Sequence, residues 1–327
     1  MIYYIKLVRP LNLFMLLLMM YLFRLCFVAA SPYNLYYFEP NLTNIQFLLL
    51  VITTIFTAAS GYIINDIFDV EIDNINHSQK KIVGQYISEE NAYNFYKITC
   101  IVGIVSTLAL AFLTQNFRLS LIPILIMVIL NFYAHTFKKQ LIVGNFMIAI
   151  CAAFVILLIA LYESGHKTVE SANTNYIRSG IMIAAFIYSL FAFLTTFLRE
   201  LIKDIEDKEG DEQYDCKTIP IVFGIRNSKI ISIVIVLILM SIILSFMLFF
   251  PILNMKIASI GIAIVLFFPL VLILFLIMKA NTKSHFHYIS ILLKIIMLIG
   301  VLTMLYFSSG NGPYVFVQYL NYITKLF

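Results

Sequence analysis

Long apolar runs separated by short polar connectors fill most of the chain, at roughly 11–30, 44–66, 90–114, 118–137, 141–162, 176–202, 228–250, 256–279 and 286–308. A helix needs about 20 apolar residues to cross a bilayer core, so each run predicts one span, nine in all. Lipid offers no hydrogen-bond partners to exposed backbone, which leaves α-helices for segments of this kind. The expected architecture is therefore an all-α integral membrane bundle forming a single domain over 1–327. The first run follows Lys6 and Arg9 and continues to Ala30 without a small-residue cleavage site, so it reads as a span, not a signal peptide.

Composition agrees with that pattern. The chain is 62% hydrophobic and 12% charged, with a mean hydropathy of +0.96, far from the balance of a soluble domain. Its net charge of +5 is scattered over connectors and forms no basic stripe, which argues against nucleic acid as a partner. With the N-terminus placed in the cytoplasm, that side collects 14 Lys and Arg and the other side 5. This bias follows the positive-inside rule, although the longer connector from Arg199 to Lys229 supplies six of the 14. The expected location is the inner (cytoplasmic) membrane, with the N-terminus on the cytoplasmic side. Cys26, Cys100, Cys151 and Cys216 lie far apart and read as packing residues, not a disulfide frame or zinc site. The five histidines form no i, i+4 metal pair, and His285 and His287 fall in a short connector.

The acids are concentrated. Of 17 Asp and Glu, four lie between Asp66 and Asp73 and eight between Glu200 and Asp215, both in predicted cytoplasmic segments. Asn65-Asp66-Ile67-Phe68-Asp69-Val70-Glu71-Ile72-Asp73 aligns without a gap on Lys203-Asp204-Ile205-Glu206-Asp207-Lys208-Glu209-Gly210-Asp211, five of nine positions being identical. Both place Asp at i, i+3 and i+7, which on a continuous helix fall within about 60° of one face. Three carboxylates so close repel one another, and at the end of a span they are also partly desolvated, so the arrangement calls for cations. Oxygen-only ligands favour Mg²⁺ or Ca²⁺ over zinc, and Mg²⁺ keeps positions open for substrate phosphates. Asp66, Asp69 and Asp73 with Asp204, Asp207 and Asp211 are thus the expected catalytic metal ligands, suited to caging a diphosphate. Acid-rich loops are also common on membrane proteins; the repeat at two membrane boundaries is what favours chemistry. Lys80, Lys81 and Lys217 follow the clusters and suit a phosphate, although topology alone would also place them there.

At these residues the sequence resembles the UbiA superfamily of intramembrane prenyltransferases. Asn65 to Asp73 is similar to its N-D-x-x-D-x-x-x-D motif, and Lys203 to Asp211, continued by Lys217-Thr218-Ile219-Pro220, to its second motif. Arg9-Pro10-Leu11-Asn12 resembles its N-terminal signature, and Tyr133 to Lys138 its Y-x-x-x-x-K element. The resemblance implies two Asp-motif helices across a central cavity and two Mg²⁺ ions. It also implies a prenyl diphosphate donor, a lipophilic or amphiphilic acceptor, and membrane lipid around the bundle. Asn65, Arg9, Asn12, Lys80, Lys81, Tyr133, Lys138, Lys203 and Lys217 would bind substrate. Where many members carry Asn-Lys/Arg-Pro and then Arg-Pro, this chain has Asn76-His77-Ser78-Gln79-Lys80-Lys81, so Lys80 or Lys81 stands in for the family's basic residue. The segments Arg9–Asn12 and Gly61–Asp73 are most similar to the branch that prenylates glyceryl phosphates, as in a geranylgeranylglyceryl phosphate-type ether-lipid precursor. Aromatic acids and quinone precursors are the alternative acceptors. A cation transporter could also use intramembrane carboxylates, but its site belongs near the bilayer midplane. Glu200 reads either as a further ligand or base or as half of an ion pair with Arg199 or Lys203. Arg24, inside the first span, reads as a cavity residue or a paired charge.

Overall fold

The computed structural model describes residues 1–29, 40–76, 81–164, 172–253, 255–307 and the isolated positions 315, 317, 318 and 321. It opens with α1 (Ile2–Leu7) and α2 (Pro10–Phe23), which runs on as a π-helical turn, Arg24–Ala29. Then come α3 (Asn44–Phe68), α4 (Val70–Asn76), α5 (Glu89–Thr114), α6 (Phe117–His135), α7 (Val143–Glu163) and α8 (Ala172–Gln213). The series closes with α9 (Ile219–Val222), α10 (Gly224–Phe249), α11 (Lys256–Ile262), α12 (Phe268–Lys279) and α13 (Lys283–Leu302). Among the described residues nine helices are long and apolar enough to cross a membrane, and each coincides with one of the expected runs. The protein is an all-α, multi-pass integral membrane protein.

Side-chain caps explain several helix starts. Thr43 and Gln46 form a capping box on α3, with Gln46 N–H donating to Thr43 Oγ1 at 3.3 Å and Thr43 N–H to Gln46 Oε1 at 2.9 Å. Ser88 caps α5 and Asn116 caps α6. Thr282 caps α13, so His285 and His287 lie on its first turns and not in a connector as the sequence suggests. The other departure is larger: α8, which carries the sixth expected span, does not end near residue 202 but continues to Gln213, carrying the whole second acidic segment. Hydropathy ends the span there, but not the helix. Lys203, Asp207, Asp204 and Lys208 are spaced i, i+4 with opposite charges, and no proline intervenes before Pro220.

Contacts divide the chain into two compact units. The first comprises Met1–Leu18, Leu42–Cys151 and Asp207–Ile225, and the second Met19–Asn41, Ala152–Glu206 and Arg226–Phe327. In the first, α5 shows how lipid inverts soluble patterning. Ile98, Ile101, Val105, Leu108 and Phe112 face outward, while Thr99, Gly103, Ser106, Thr107 and Leu110 are buried. Lipid rewards no apolar burial, so helices associate through small residues and hydrogen bonds. Thr53 on α3 donates to Ser106 Oγ at 3.0 Å. A Cβ on Gly103 would stand 2.9 Å from Met127 of α6, so these helices touch at glycine.

The second unit holds an aromatic cluster in which Phe27 packs on Phe23, Tyr188 and Phe307 with ring centroids 5.1, 5.7 and 5.6 Å apart. Arg24 lies within the first span, its Nε 3.6 Å from Glu163 Oε1, a fully buried carboxylate. This is the paired-charge reading of Arg24. A charge at that depth is tolerated when it is paired.

Candidate active site

The first acidic segment straddles a helix break. α3 stops at Phe68, Asp69 sits at its C-cap with ψ near 0°, and α4 resumes at Val70. The hydrogen-bond ladder nonetheless passes through, from Asp69 N–H to the Asn65 carbonyl at 3.0 Å and from Asp73 N–H to the Asp69 carbonyl at 2.8 Å. Asp66, Asp69 and Asp73 are therefore presented on successive turns across a break and not on one unbroken helix. Asn65 Nδ2 donates to Asp69 Oδ2 at 2.6 Å, and Lys138 Nζ makes a salt bridge to the same oxygen. Asp69 is buried and Asp66 partly so.

Arg9 reaches Asp66 from the N-terminal end of the chain, Nη2 lying 2.6 Å from Oδ1, with its guanidinium 5.1 Å from the centroid of the Tyr62 ring. Its backbone is left-handed, at φ 53°, a conformation that costs about 1–2 kcal/mol in a residue with a Cβ. The neighbours fix it there. Leu7 is fully buried among Ile63, Ile64, Ile67, Val83 and Ala134, Tyr3 stacks on Tyr86 at 4.1 Å, and Pro10 begins α2. Asn12 N–H donates to the Arg9 carbonyl at 2.9 Å, so Asn12 supports the turn through its backbone. Strain that its surroundings over-determine is characteristic of functional positions.

Lys138 sits on a 3₁₀ turn, Phe137–Lys139, between α6 and α7. Gly144 lets that turn approach: a Cβ there would lie 2.8 Å from the Phe137 carbonyl oxygen and 3.2 Å from Lys138 Cα. Burial opposes the ammonium charge, but Asp69, the Tyr133 hydroxyl and Asp211 together outweigh it and hold Lys138 above the ordinary lysine range. One lysine thus feels a carboxylate from each acidic segment. Burial likewise opposes the charge of Arg9, and Asp66 and Tyr62 more than restore it.

The second segment lies wholly on α8, which places Asp204, Asp207 and Asp211 on successive turns of one face. Asp211 is buried. The chain then turns back through Asp215, at φ 56°, with Cys216 N–H donating to the Asp211 carbonyl at 3.0 Å and Lys217 N–H to the Lys139 carbonyl at 2.8 Å. The Cys216 thiol is pushed up to about 11 by burial and by Asp211, against the pull of Lys139 and Lys138. Asp66, Asp69, Asp73, Asp207, Asp211, Arg9, Lys138 and Lys217 all belong to the first unit; Asp204 and Lys203 belong to the second.

Lys81 is half-buried, with its side chain along Gly84: a Cβ on that glycine would lie 3.4 Å from Lys81 Nζ. Lys80 lies outside the described residues. Glu200 pairs with Arg199 at 2.6 Å. Sequence reasoning missed the contact between Glu206 and His287, 2.8 Å from Oε1 to Nδ1, because 81 residues separate the partners. It also missed Tyr62 under Arg9, although its place one turn before Asp66 is a signal available in the sequence.

Among the described residues no three His, Cys, Asp or Glu side chains are gathered tightly enough to hold a metal ion by themselves. The donor set still fits Mg²⁺, which takes one or two carboxylates and completes its shell with water and phosphate oxygens. Every candidate ligand here is an oxygen, and Asp69 and Asp211 are buried carboxylates already matched by a cation.

A digeranylgeranylglyceryl phosphate synthase of Sulfurisphaera tokodaii is 32% identical over 246 residues, 75% of this chain and 80% of that protein. A solved structure concerned with digeranylgeranylglyceryl phosphate synthase in membranes matches with a TM-score of 0.59 at 25% identity, covering 94% of this chain and 98% of the other. A UbiA homolog from Archaeoglobus fulgidus, solved bound to GPP and Mg²⁺, shares the fold with a TM-score of 0.54 at 17% identity over 92% and 99% of the two chains. The profile of the UbiA prenyltransferase family matches residues 25–291, spanning both acidic segments, Lys138 and all nine spans in whole or part, and the chain belongs to that family of membrane prenyltransferases.

Proposed function

We propose that the protein joins a prenyl diphosphate to a glyceryl phosphate-type acceptor at the membrane surface, in an Mg²⁺-dependent reaction that builds an ether lipid. One observation carries the reading: the turn that sets Lys138 against Asp69 of the first acidic segment also receives Lys217 N–H, just after the second segment, on the Lys139 carbonyl at 2.8 Å. The similarity to the digeranylgeranylglyceryl phosphate synthase of Sulfurisphaera tokodaii supports the choice of acceptor.

In this mechanism one or two carboxylates of Asp66, Asp69 and Asp73 would hold one ion and one or two of Asp204, Asp207 and Asp211 a second, with Asn65 orienting Asp69. When bound, Mg²⁺ neutralises diphosphate oxygens and so improves the leaving group. Arg9, Lys138 and Lys80 or Lys81 bind the remaining phosphate charge, Lys138 as a point charge beside Asp69. The allylic C–O bond breaks as the acceptor hydroxyl oxygen bonds to the same carbon, diphosphate departs and the hydroxyl proton is released. The ring of Tyr133 faces the developing cation, and the apolar spans keep water from it. Both acidic segments lie at the end of an apolar run, Asp66 two residues before the end of α3 and Asp204 two after the run that closes near 202 in α8, which suits a substrate at the interface better than an ion crossing at the midplane. The N-terminus and both segments face the cytoplasm of a cell whose inner membrane carries the enzyme.

The test incubates purified protein with prenyl diphosphates of several lengths and with geranylgeranylglyceryl phosphate, an aromatic acid or a quinone precursor, with and without Mg²⁺, and identifies products by mass spectrometry. An ether-linked product that requires Mg²⁺ is expected. Release of no diphosphate with any pair would end the enzyme reading, and prenylation only of an aromatic ring would replace the acceptor.

A further inference from the structure

We propose that Lys139, Lys217 and Thr218 form a separate binding site for the phosphomonoester of the acceptor, a reading that rests on the function proposed above. Lys217 N–H holds the Lys139 carbonyl at 2.8 Å, so two lysines distant in sequence stand side by side on the exposed connectors of the first unit. Both side chains are exposed, and among the described residues neither takes part in an ion pair. Next to them lies an unspent hydroxyl. Thr218 is only 4% exposed and occupies the N-cap of the four-residue α9, yet its side chain makes no capping bond, and Oγ1 has no hydrogen-bond partner among the described residues. A buried hydroxyl left without a partner costs free energy, so a conserved-volume apolar residue would serve packing better unless a ligand completes it.

The chemistry of the missing partner follows from what surrounds it. Two ammonium groups and a hydroxyl on adjoining residues are all donors, so a shared partner must accept hydrogen bonds and carry negative charge, as a phosphate does. The donor diphosphate is drawn to the carboxylate trios through Mg²⁺. A phosphomonoester that brings no metal is repelled by those carboxylates and needs plain cations instead. Lys138 and Arg9 lie against Asp69 and Asp66, where the donor diphosphate binds, which leaves Lys139 and Lys217 for the ester. An amphiphilic acceptor anchored there keeps its phosphate at the connector, its tail in lipid and its hydroxyl towards the reacting carbon.

Binding of geranylgeranylglyceryl phosphate, measured by titration calorimetry without donor or Mg²⁺, tests the site apart from turnover. The wild type should bind it at least about tenfold more tightly than the dephosphorylated alcohol, given what a hydrogen bond to a charged group contributes. Thr218→Val, which keeps the shape, and Lys139→Gln should each remove about tenfold of that preference, and Thr218→Ser and Lys139→Arg should restore most of it. In the full reaction the same two losses should appear in the KM for acceptor, with the KM for prenyl diphosphate moving less than about twofold. Equal binding of ester and alcohol by the wild type overturns the site, whether or not the enzyme turns over. A rise in donor KM instead assigns these residues to the diphosphate and equally overturns it. Failure of the proposed function is distinct: wild-type protein would then bind the ester and release no diphosphate from any donor.

Discussion

Asp69 is where most of the site's interactions meet. It receives Asn65 and Lys138 on a single oxygen while its backbone carries the helix ladder across the break between α3 and α4. Asp69→Asn keeps the shape and removes the charge, so kcat should fall by at least about a hundredfold with the fold intact, the scale on which positioned electrostatic groups act. Circular dichroism and turnover on one preparation check both halves of the statement. Lys138→Met leaves Asp69 buried without its ammonium, a loss of about 3 kcal/mol where a buried pair is broken from one side. The raised pKa of Lys138 gives this loss a pH signature. A group raised in the folded state contributes fully below its unfolded value, about 10.4 for lysine, and the contribution is lost only as pH rises through the higher folded value. The difference in Tm between wild type and Lys138→Met should therefore be the same at about pH 6 and pH 9. Arg9→Lys keeps the charge but loses the planar fork and the contact with Tyr62, and should cost about tenfold in kcat/KM.

At the scale of elements, the site depends on connectors more than on spans. The approach of the Phe137–Lys139 turn to α7 is set by Gly144, where a Cβ would meet backbone that cannot simply rotate away. Gly144→Ala should cost about 1–3 kcal/mol and reduce activity by moving Lys138. Gly224, at φ 79° with nothing within 4 Å of its would-be Cβ, is the control: its alanine variant pays only the left-handed backbone cost, about 1 kcal/mol, and keeps its activity. Activity at a common fraction of folded protein separates the two. Helices of the right length were legible from hydropathy alone. The extension of α8 to Gln213 and the break after Phe68 were not, because hydropathy reports what enters lipid and says nothing of whether hydrogen bonding continues beyond it.

For the whole molecule, the expected orientation places Glu209 and Arg118, both exposed, on opposite faces of the membrane. Glu209→Cys in sealed cells should resist an impermeant maleimide until the membrane is opened, whereas Arg118→Cys should react at once; the reverse order would invert the topology. Background from the native thiols is small near the site, because Cys216 is buried and its thiol is pushed up to about 11.

The periodicity and acid repeat by themselves determined the nine apolar spans and the two acidic segments, since bilayer thickness acts on linear stretches of chain. The family resemblance in turn marked Arg9 and Lys138 as substrate-binding residues. Only the tertiary structure decided that Arg9 serves Asp66, that Lys138 answers to Asp69, and that the backbone of Lys217 is held against that of Lys139. Those pairings join residues far apart in the chain, and they are fixed by how helix ends and connectors pack, which no local pattern of hydrophobic and polar positions encodes.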